Sequence, residues 1–578
     1  MNKKRYFGVT ILTLILFMAV AGRLFYVTVI AKDDIYKKAQ RQVSKEVIIP
    51  AKRGDITDQN GSLLASSTEA YRVDADLLTF RRHLEKTEEL PEIYATPIAE
   101  ILGENKEAVL EKLTSDSNNV IIKRKLEKET IEELKIYLKD NNIGFLLIGY
   151  DHIRYYPNHN YLSHVLGSVN VDGNGVMGLE YWYNETLRGI DGIKIAEIDK
   201  KNRELPYEDV VKTEAINGNT LVLGIDEKVQ YYLQNLAQEA LDKHDADSVT
   251  MMVSNPKTGQ ILGMVNLPDF DPSNPKEDRT TEEFNEITRN FAVNDSYEPG
   301  STFKIVTFSA ALEKGVVSEG DHFNCPGYIM VNETRVNCHK RSGHGDQTLG
   351  EAIKNSCNVA TIIVAQKLGI NSFHEYLEKF QFGVKSGIDL PGETSGIIFN
   401  KENMKVLDLS TSSIGQAQTV SPVQMLNAMN TISNFGTLNP LHLADEAVLT
   451  DHNLKTTIRD LRPEPIEGII SKETATRMLK LLYGTIGENK YSQAYIEDIE
   501  VFGKTGTAQK IIFDENGKQK YSDDEFISSF IGGAPYKDPV ITLMVIVNNP
   551  KDAYFGNVVA APWAKEILSE MDKYYSLR

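Results

Sequence analysis

Ser301-Thr302-Phe303-Lys304 sets a hydroxyl and an amine three residues apart. If that segment is helical, the two groups share a face and the amine can take the hydroxyl's proton. A serine hydroxyl is a poor nucleophile without a base in hydrogen-bond reach, and a lysine acts as that base only when neutral. Burial and a neighbouring positive charge both lower a lysine's pKa, and Lys504 is the expected source of that charge. Glu298-Pro299-Gly300 is the expected turn into a helix over Lys304 to Leu312, with Ile305, Phe308 and Leu312 on one stripe and Gly315 as the stop. Taken alone, Lys304 would be an ordinary solvated helix lysine.

Two further motifs change that weighing. Ser356-Cys357-Asn358 begins 55 residues after Ser301, and Lys504-Thr505-Gly506 begins 203 after it. Ser356 and Asn358 fall between helix-like runs at 347–354 and 359–368, where Ser356 could relay a proton to a leaving group and Asn358 could bond a substrate peptide. Gly503-Lys504-Thr505-Gly506-Thr507 is expected on an edge strand, with Asn516-Gly517 turning it into a hairpin. Flanking glycines let a substrate backbone approach and add to a sheet edge, where Lys504, Thr505, Gly506 and Thr507 would take a carboxylate. The backbone N–H groups of Ser301 and Thr507 are the expected oxyanion donors. Singly, S-C-N is a helix cap and K-T-G a surface hairpin; three such patterns in this order are hard to obtain by accident.

With these motifs the chain resembles the class B penicillin-binding proteins, the monofunctional peptidoglycan transpeptidases of division, elongation or sporulation. The resemblance covers nearly the whole length, and the middle motif departs from S-D-N only at its centre. It implies Ser301 as acyl-enzyme nucleophile, with Lys304, Ser356, Asn358, Lys504, Thr505 and Thr507 carried over by motif position and Gly415-Gln416 supporting the site. The implied reaction is D,D-transpeptidation. Ser301 attacks the penultimate D-Ala carbonyl of a stem peptide, terminal D-Ala leaves, and an amine on a second stem accepts the acyl group. β-Lactams would acylate the same serine, and a membrane glycosyltransferase is the implied partner. A D,D-carboxypeptidase, which uses water as acceptor, is the first alternative. A serine β-lactamase would need a deacylating base that the sequence does not identify, and a non-catalytic β-lactam sensor is disfavoured by the intact trio.

Other features fit several domains. The chain has 578 residues, 41% of them hydrophobic, and a net charge of −18, which argues against a nucleic-acid-binding surface. Lys3-Lys4-Arg5 precedes an uncharged run to Gly22, then Arg23, then Leu24 to Ile30. That is long enough to span a bilayer, and the positive-inside rule leaves the rest of the chain outside. A cleaved signal peptide competes, because Ala19-Val20-Ala21 is an A-x-A pattern. The expected organisation is an anchor at 1–31, an extended α/β pedestal of the dimerisation type at 32–216, and an α+β transpeptidase domain at 217–578, with helices packed on an antiparallel sheet. Within the pedestal, Arg53-Gly54-Asp55-Ile56-Thr57-Asp58 and the stretch Tyr161 to Gly189 match the family pattern, and Tyr94 to Leu147 is expected to be charged and helical. No C-terminal module is expected.

Cys325, Cys338 and Cys357 all lie around the first two motifs, and an odd number excludes full intrachain pairing. Zinc takes cysteine, histidine and carboxylate in tetrahedral sets. Some class B relatives look metal-bound here through an aspartate, a histidine and the middle-motif cysteine. That resemblance implies Asp321, Cys338, His344 and Cys357 as ligands of a structural Zn2+, with Cys325 as the substitute for Asp321. A disulfide (Cys338 to Cys357, or Cys325 to Cys338) and inert buried thiols are the competing expectations. The cysteine and Gly343-His344-Gly345 together suggest a sporulation- or elongation-type enzyme.

Overall fold

The computed structural model describes residues 3–32, 44–197, 210–451, 454–513 and 517–578. Asn516 of the expected hairpin turn lies outside them. At the N-terminus a helix runs Lys3–Phe25 and continues as a π-helical turn, Tyr26–Ile30. Arg5–Ile30 is long and apolar enough to cross a membrane, and none of its most apolar window is buried against protein.

Beyond it the chain forms two compact units. One comprises residues 1–53, 67–153 and 189–218; the other comprises 54–66, 154–188 and 219–578. The segments 54–66 and 154–188 are therefore counted with the catalytic residues, although they come early in the sequence.

The first unit packs helices Leu77–Thr87, Glu92–Leu102, Lys106–Leu113 and Lys128–Asp140 with the strand Asn119–Leu126. Its core gathers Val73, Phe80, Ile98, Ile122, Ile131 and Phe145, with the Phe80 and Phe145 ring centres 4.5 Å apart. The all-helical expectation for Tyr94 to Leu147 is corrected by that strand. Val120-Ile121-Ile122 is β-branched, and Ile122 is fully buried while Ile121 is exposed, so period-two burial prevails over the charged composition around it.

The second unit is built on a five-stranded antiparallel sheet: β1 (Ser248–Ser254), β2 (Ile261–Leu267), β3 (Phe502–Phe513), β4 (Gln519–Ala534) and β5 (Ile541–Asn548), in the order β2-β1-β5-β4-β3. Helices cover both faces, so β2 and nearly all of β5 are buried and read as continuous apolar runs. Leu543, Val545 and Val547 join a core with the helices Glu227–His244 and Ala561–Tyr575. Met544 and Ile546 face the opposite way, into the core that holds Ile305, Phe308 and Val423. Asp226 caps the first of those helices by accepting from Lys228 N at 2.9 Å, as expected. The K-T-G strand is β3, at the sheet edge.

From Gly54 onward, the R-G-D-I-T-D segment is a scaffold within this unit. Asp58 accepts hydrogen bonds from the backbone N of Asn60, Ser62 and Glu227, and Asp55 accepts from Ser66 Oγ. Buried Arg154 ties Gly54 O (2.8 Å) to Glu180 Oε1 (2.6 Å). Asp58 thus closes its own turn and ties it to the start of the helix Glu227–His244.

Candidate active site

A glycine-lined turn carries the nucleophile. Gly300–Phe303 is a 3-10 turn leading directly into the helix Lys304–Glu313, so Ser301 precedes the α-helix rather than lying in it. Gly300 has φ +55°, and a Cβ there would sit 2.9 Å from Thr507 O on β3. Gly415 has φ +78°, and a Cβ there would reach 2.1 Å from Gly300 O. Gly300 N donates to Gly415 O at 2.9 Å. The Ser413-Ile414-Gly415-Gln416 turn therefore touches the serine's own turn, and only glycine permits that approach at both positions.

The three motifs converge. Ser356 Oγ lies 2.9 Å from Ser301 Oγ. Lys304 Nζ donates to Asn358 Oδ1 at 2.6 Å, Ser356 O at 2.8 Å and Ser356 Oγ at 3.3 Å. Ser356 has φ +49°, a left-handed conformation that a serine adopts only where the surroundings enforce it. Cys357 then caps the helix Asn358–Lys379, its sulfur accepting from Ala360 N.

Both lysines are buried, Lys304 to 1% exposure and Lys504 to 2%. Burial pushes Lys304 down to about 8, against the opposing pull of the Cys338 and Cys357 sulfurs. Of the two expected causes, burial acts and the Lys504 charge does not: desolvation is what lowers the base. The repulsion is felt instead at Lys504, held well below its ordinary value by burial and then by Lys304. Lys504 Nζ donates to Thr505 O at 2.9 Å, and Thr507 Oγ1 accepts from Gly556 N at 3.0 Å. A Cβ at Gly506 would meet Ser529 Oγ at 2.4 Å, so the strand has no room for a side chain there.

Sequence patterns did not mark Glu298 as a bridge. Its Oε1 accepts from Ala417 N at 2.8 Å and from Tyr521 OH at 3.0 Å, joining the nucleophile's turn to the Gly415 turn and to β4. Burial raises its carboxyl. The signal available was Glu298 itself, an acidic residue beside Pro-Gly with no helix of its own to cap. Its partners lie 119 and 223 residues away, beyond the reach of local pattern.

Cys325, Cys338, Cys357 and His344 form a second cluster, their ligand atoms all within 4.8 Å of one another. All three cysteines are free and buried. Cys338 Sγ is 3.7 Å from His344 Nδ1. The hydrogen bond between Cys338 and Cys357 pulls the Cys338 thiol far down and holds Cys357 up. Asp321 is corrected: it lies outside the cluster, its carboxylate taken by Ser318 Oγ (3.1 Å) and Lys367 Nζ (3.5 Å), and Cys325 stands in its place. Strand pairing explains the exchange. Cys325 ends the strand His322–Cys325 opposite Gly345, which brings it beside His344, whereas Asp321 precedes that strand. Three sulfurs and one imidazole nitrogen within this span suit a tetrahedral zinc, whose Zn–S bonds of about 2.3 Å set ligand atoms about 3.8 Å apart.

Residues 249–569 match the penicillin binding protein transpeptidase domain family, and residues 48–223 match the penicillin-binding protein dimerisation domain family. Stage V sporulation protein D of Bacillus subtilis (strain 168) is 34% identical over 571 residues, covering 98% of this chain and 85% of that protein. The chain belongs to the class B penicillin-binding proteins. Another relative of this penicillin-binding protein, the probable peptidoglycan D,D-transpeptidase PenA of Neisseria gonorrhoeae, is 27% identical, covering 96% of this chain and 90% of its own. The solved structure of penicillin binding protein 2X from Streptococcus thermophilus superposes with a TM-score of 0.72 at 25% identity, over 92% of this chain and 81% of that one. The penicillin-binding protein described here is a peptidoglycan D,D-transpeptidase with the mixed α+β fold expected from its motifs. Its family binds β-lactams and peptidoglycan stem peptides.

Proposed function

We propose that Ser301 is the acyl-enzyme nucleophile, Lys304 its general base, Ser356 a proton relay, and Asn358 a positioning group for lysine and substrate. The observation that carries this reading is the chain Ser301 Oγ, Ser356 Oγ, Lys304 Nζ, whose links are 2.9 and 3.3 Å, around a buried lysine brought to about 8. Rotation of the two hydroxyls lets Ser301 donate toward Ser356, and neutral Lys304 takes the proton. The Ser301 oxygen bonds to the penultimate D-Ala carbonyl carbon, and the Ser301 and Thr507 N–H groups receive the oxyanion. The C–N bond then breaks, and terminal D-Ala leaves as an amine after taking a proton back through Ser356. Lys504, Thr505, Gly506 and Thr507 hold the substrate's terminal carboxylate along the β3 edge. The second stem's amine attacks the ester by the reverse proton path.

The residue division proposed for this enzyme is a membrane anchor at 1–31, a pedestal at 32–216 and a catalytic domain at 217–578 on the outer side of the cell membrane. The 34% identity to a sporulation protein supports service in sporulation, with a membrane glycosyltransferase supplying the glycan strands. Cys325, Cys338, His344 and Cys357 would hold a structural Zn2+, whose chemistry when bound is to fix the loops around Asn358. It takes no part in the acylation, for which Ser301 already supplies the nucleophile.

The test is full-chain enzyme with two stem pentapeptides, one bearing an acceptor amine. Cross-linked dimer together with released D-Ala is the expected outcome. Release without dimer would make the enzyme a carboxypeptidase, and rapid turnover of penicillin would make it a β-lactamase. The base adds a pH signature. Lys304 must be neutral to accept a proton, and it is protonated below about 8. Penicillin acylation is therefore expected to rise about tenfold per pH unit below about pH 8 and to level off above it. A rate that stays flat from about pH 6 to 8 would remove Lys304 as the base.

A further inference from the structure

The rim of this site carries a charge opposite to that of the chain. The protein holds 81 acidic against 63 basic residues, yet Arg335 to His344 contains Arg335, Lys340 and Arg341 and no acidic residue. All three cations are exposed, and among the described residues none makes an ion pair. Arg335 is nonetheless placed, its guanidinium 3.9 Å from the centre of the Tyr328 ring across a hairpin of Tyr328–Val331 and Thr334–Asn337. Val331 and Val336 on the hairpin's inner side pack with Ile362 and Ile414, so the hairpin is fastened to the domain. Its outer side leaves Tyr328 38% and Met330 52% exposed.

The rim is joined to the reacting groups. Asn337 O accepts from Asn358 Nδ2 at 3.3 Å, and Asn358 Oδ1 accepts from Lys304. Arg335, Lys340 and Arg341 lie two to four residues from that junction. Backbone bonds hold the loop that carries Lys340 and Arg341 at both ends, Cys338 N to Gly327 O (2.9 Å) and His344 N to Cys325 O (3.0 Å).

We propose that Arg335, Lys340 and Arg341 form a carboxylate-binding rim for the stem peptide, receiving a carboxylate other than the terminal one held on β3. The proposal rests on the transpeptidase reading and names a further point of substrate recognition. A guanidinium held flat against an aromatic ring keeps its N–H edges available for a two-pronged bond to carboxylate, at less entropic loss than a free side chain. Penicillin offers only the carboxylate that β3 takes, so the rim acts on peptide and not on the antibiotic.

Competition separates the two. Full-chain enzyme in detergent is acylated by a fluorescent penicillin while a stem pentapeptide competes, either with free side carboxylates or with those carboxylates amidated and the terminus left free. In an R335Q/K340Q/R341Q variant, the inhibition constant of the free-carboxylate peptide is expected to rise about fivefold to tenfold, from exposed charge pairs of modest individual strength. The amidated peptide and the rate of penicillin acylation should not change, and a K340R/R341K variant that keeps Arg335 should retain most of the wild-type affinity. Equal inhibition constants for wild type and the neutralised variant would overturn the rim. Slower penicillin acylation in that variant would also overturn it, by showing a merely structural loop. If wild type reacts with penicillin while neither peptide competes, the stem-peptide reading of the site fails as well, and the rim with it.

Discussion

Ser301→Ala is expected to abolish the covalent penicillin adduct, leaving the unmodified mass in a native mass spectrum where wild type gains one adduct. No other hydroxyl takes over. Ser356 Oγ is 2.9 Å from Ser301 Oγ, but it lies on a left-handed residue whose carbonyl is held by Lys304, and its proposed role is to relay the proton. Lys304→Met in the same assay should slow acylation by about 10^2- to 10^4-fold, the usual worth of a positioned general base. It should also cost stability, on the order of 1–3 kcal/mol, because Asn358 Oδ1 and Ser356 O lose their buried donor. An adduct that persists in Ser301→Ala would dismiss the acyl-enzyme assignment outright.

The second large effect concerns the sulfur cluster. Wild-type protein is expected to carry one zinc, and a Cys338→Ser, Cys357→Ser double variant to carry none. Losing a structural metal removes folding free energy directly, so the variant's Tm should fall by roughly 5–10 °C. Acylation should slow as well, because Cys357 lies beside both Ser356 and Asn358, and Asn337, the backbone partner of Asn358, adjoins Cys338. A double variant with full stability and full acylation would dispose of both a metal and a redox role. A wild-type mass short of two hydrogens would point to a disulfide instead.

Much of this was legible in the chain. Ser301, Lys304, Ser356, Asn358 and the K-T-G residues are visible because each motif needs its residue types at fixed local spacing. The helix from Lys304, the edge position of β3 and the cap at Asp226 follow from periodicity and turn chemistry, which act over a few residues. Four things were decided only by the tertiary structure. Burial on all sides, and not the Lys504 charge, brings Lys304 to about 8, because desolvation depends on what packs around the amine. Cys325 replaces Asp321 in the cluster because antiparallel pairing with Gly345 fixes which residue of that strand meets His344. Glu298 finds Ala417 and Tyr521 across 119 and 223 residues, and the segments 54–66 and 154–188 are counted with the catalytic unit. A sequence records spacing along the chain, whereas desolvation, strand register and long-range bonds depend on distances set only when the chain has closed on itself.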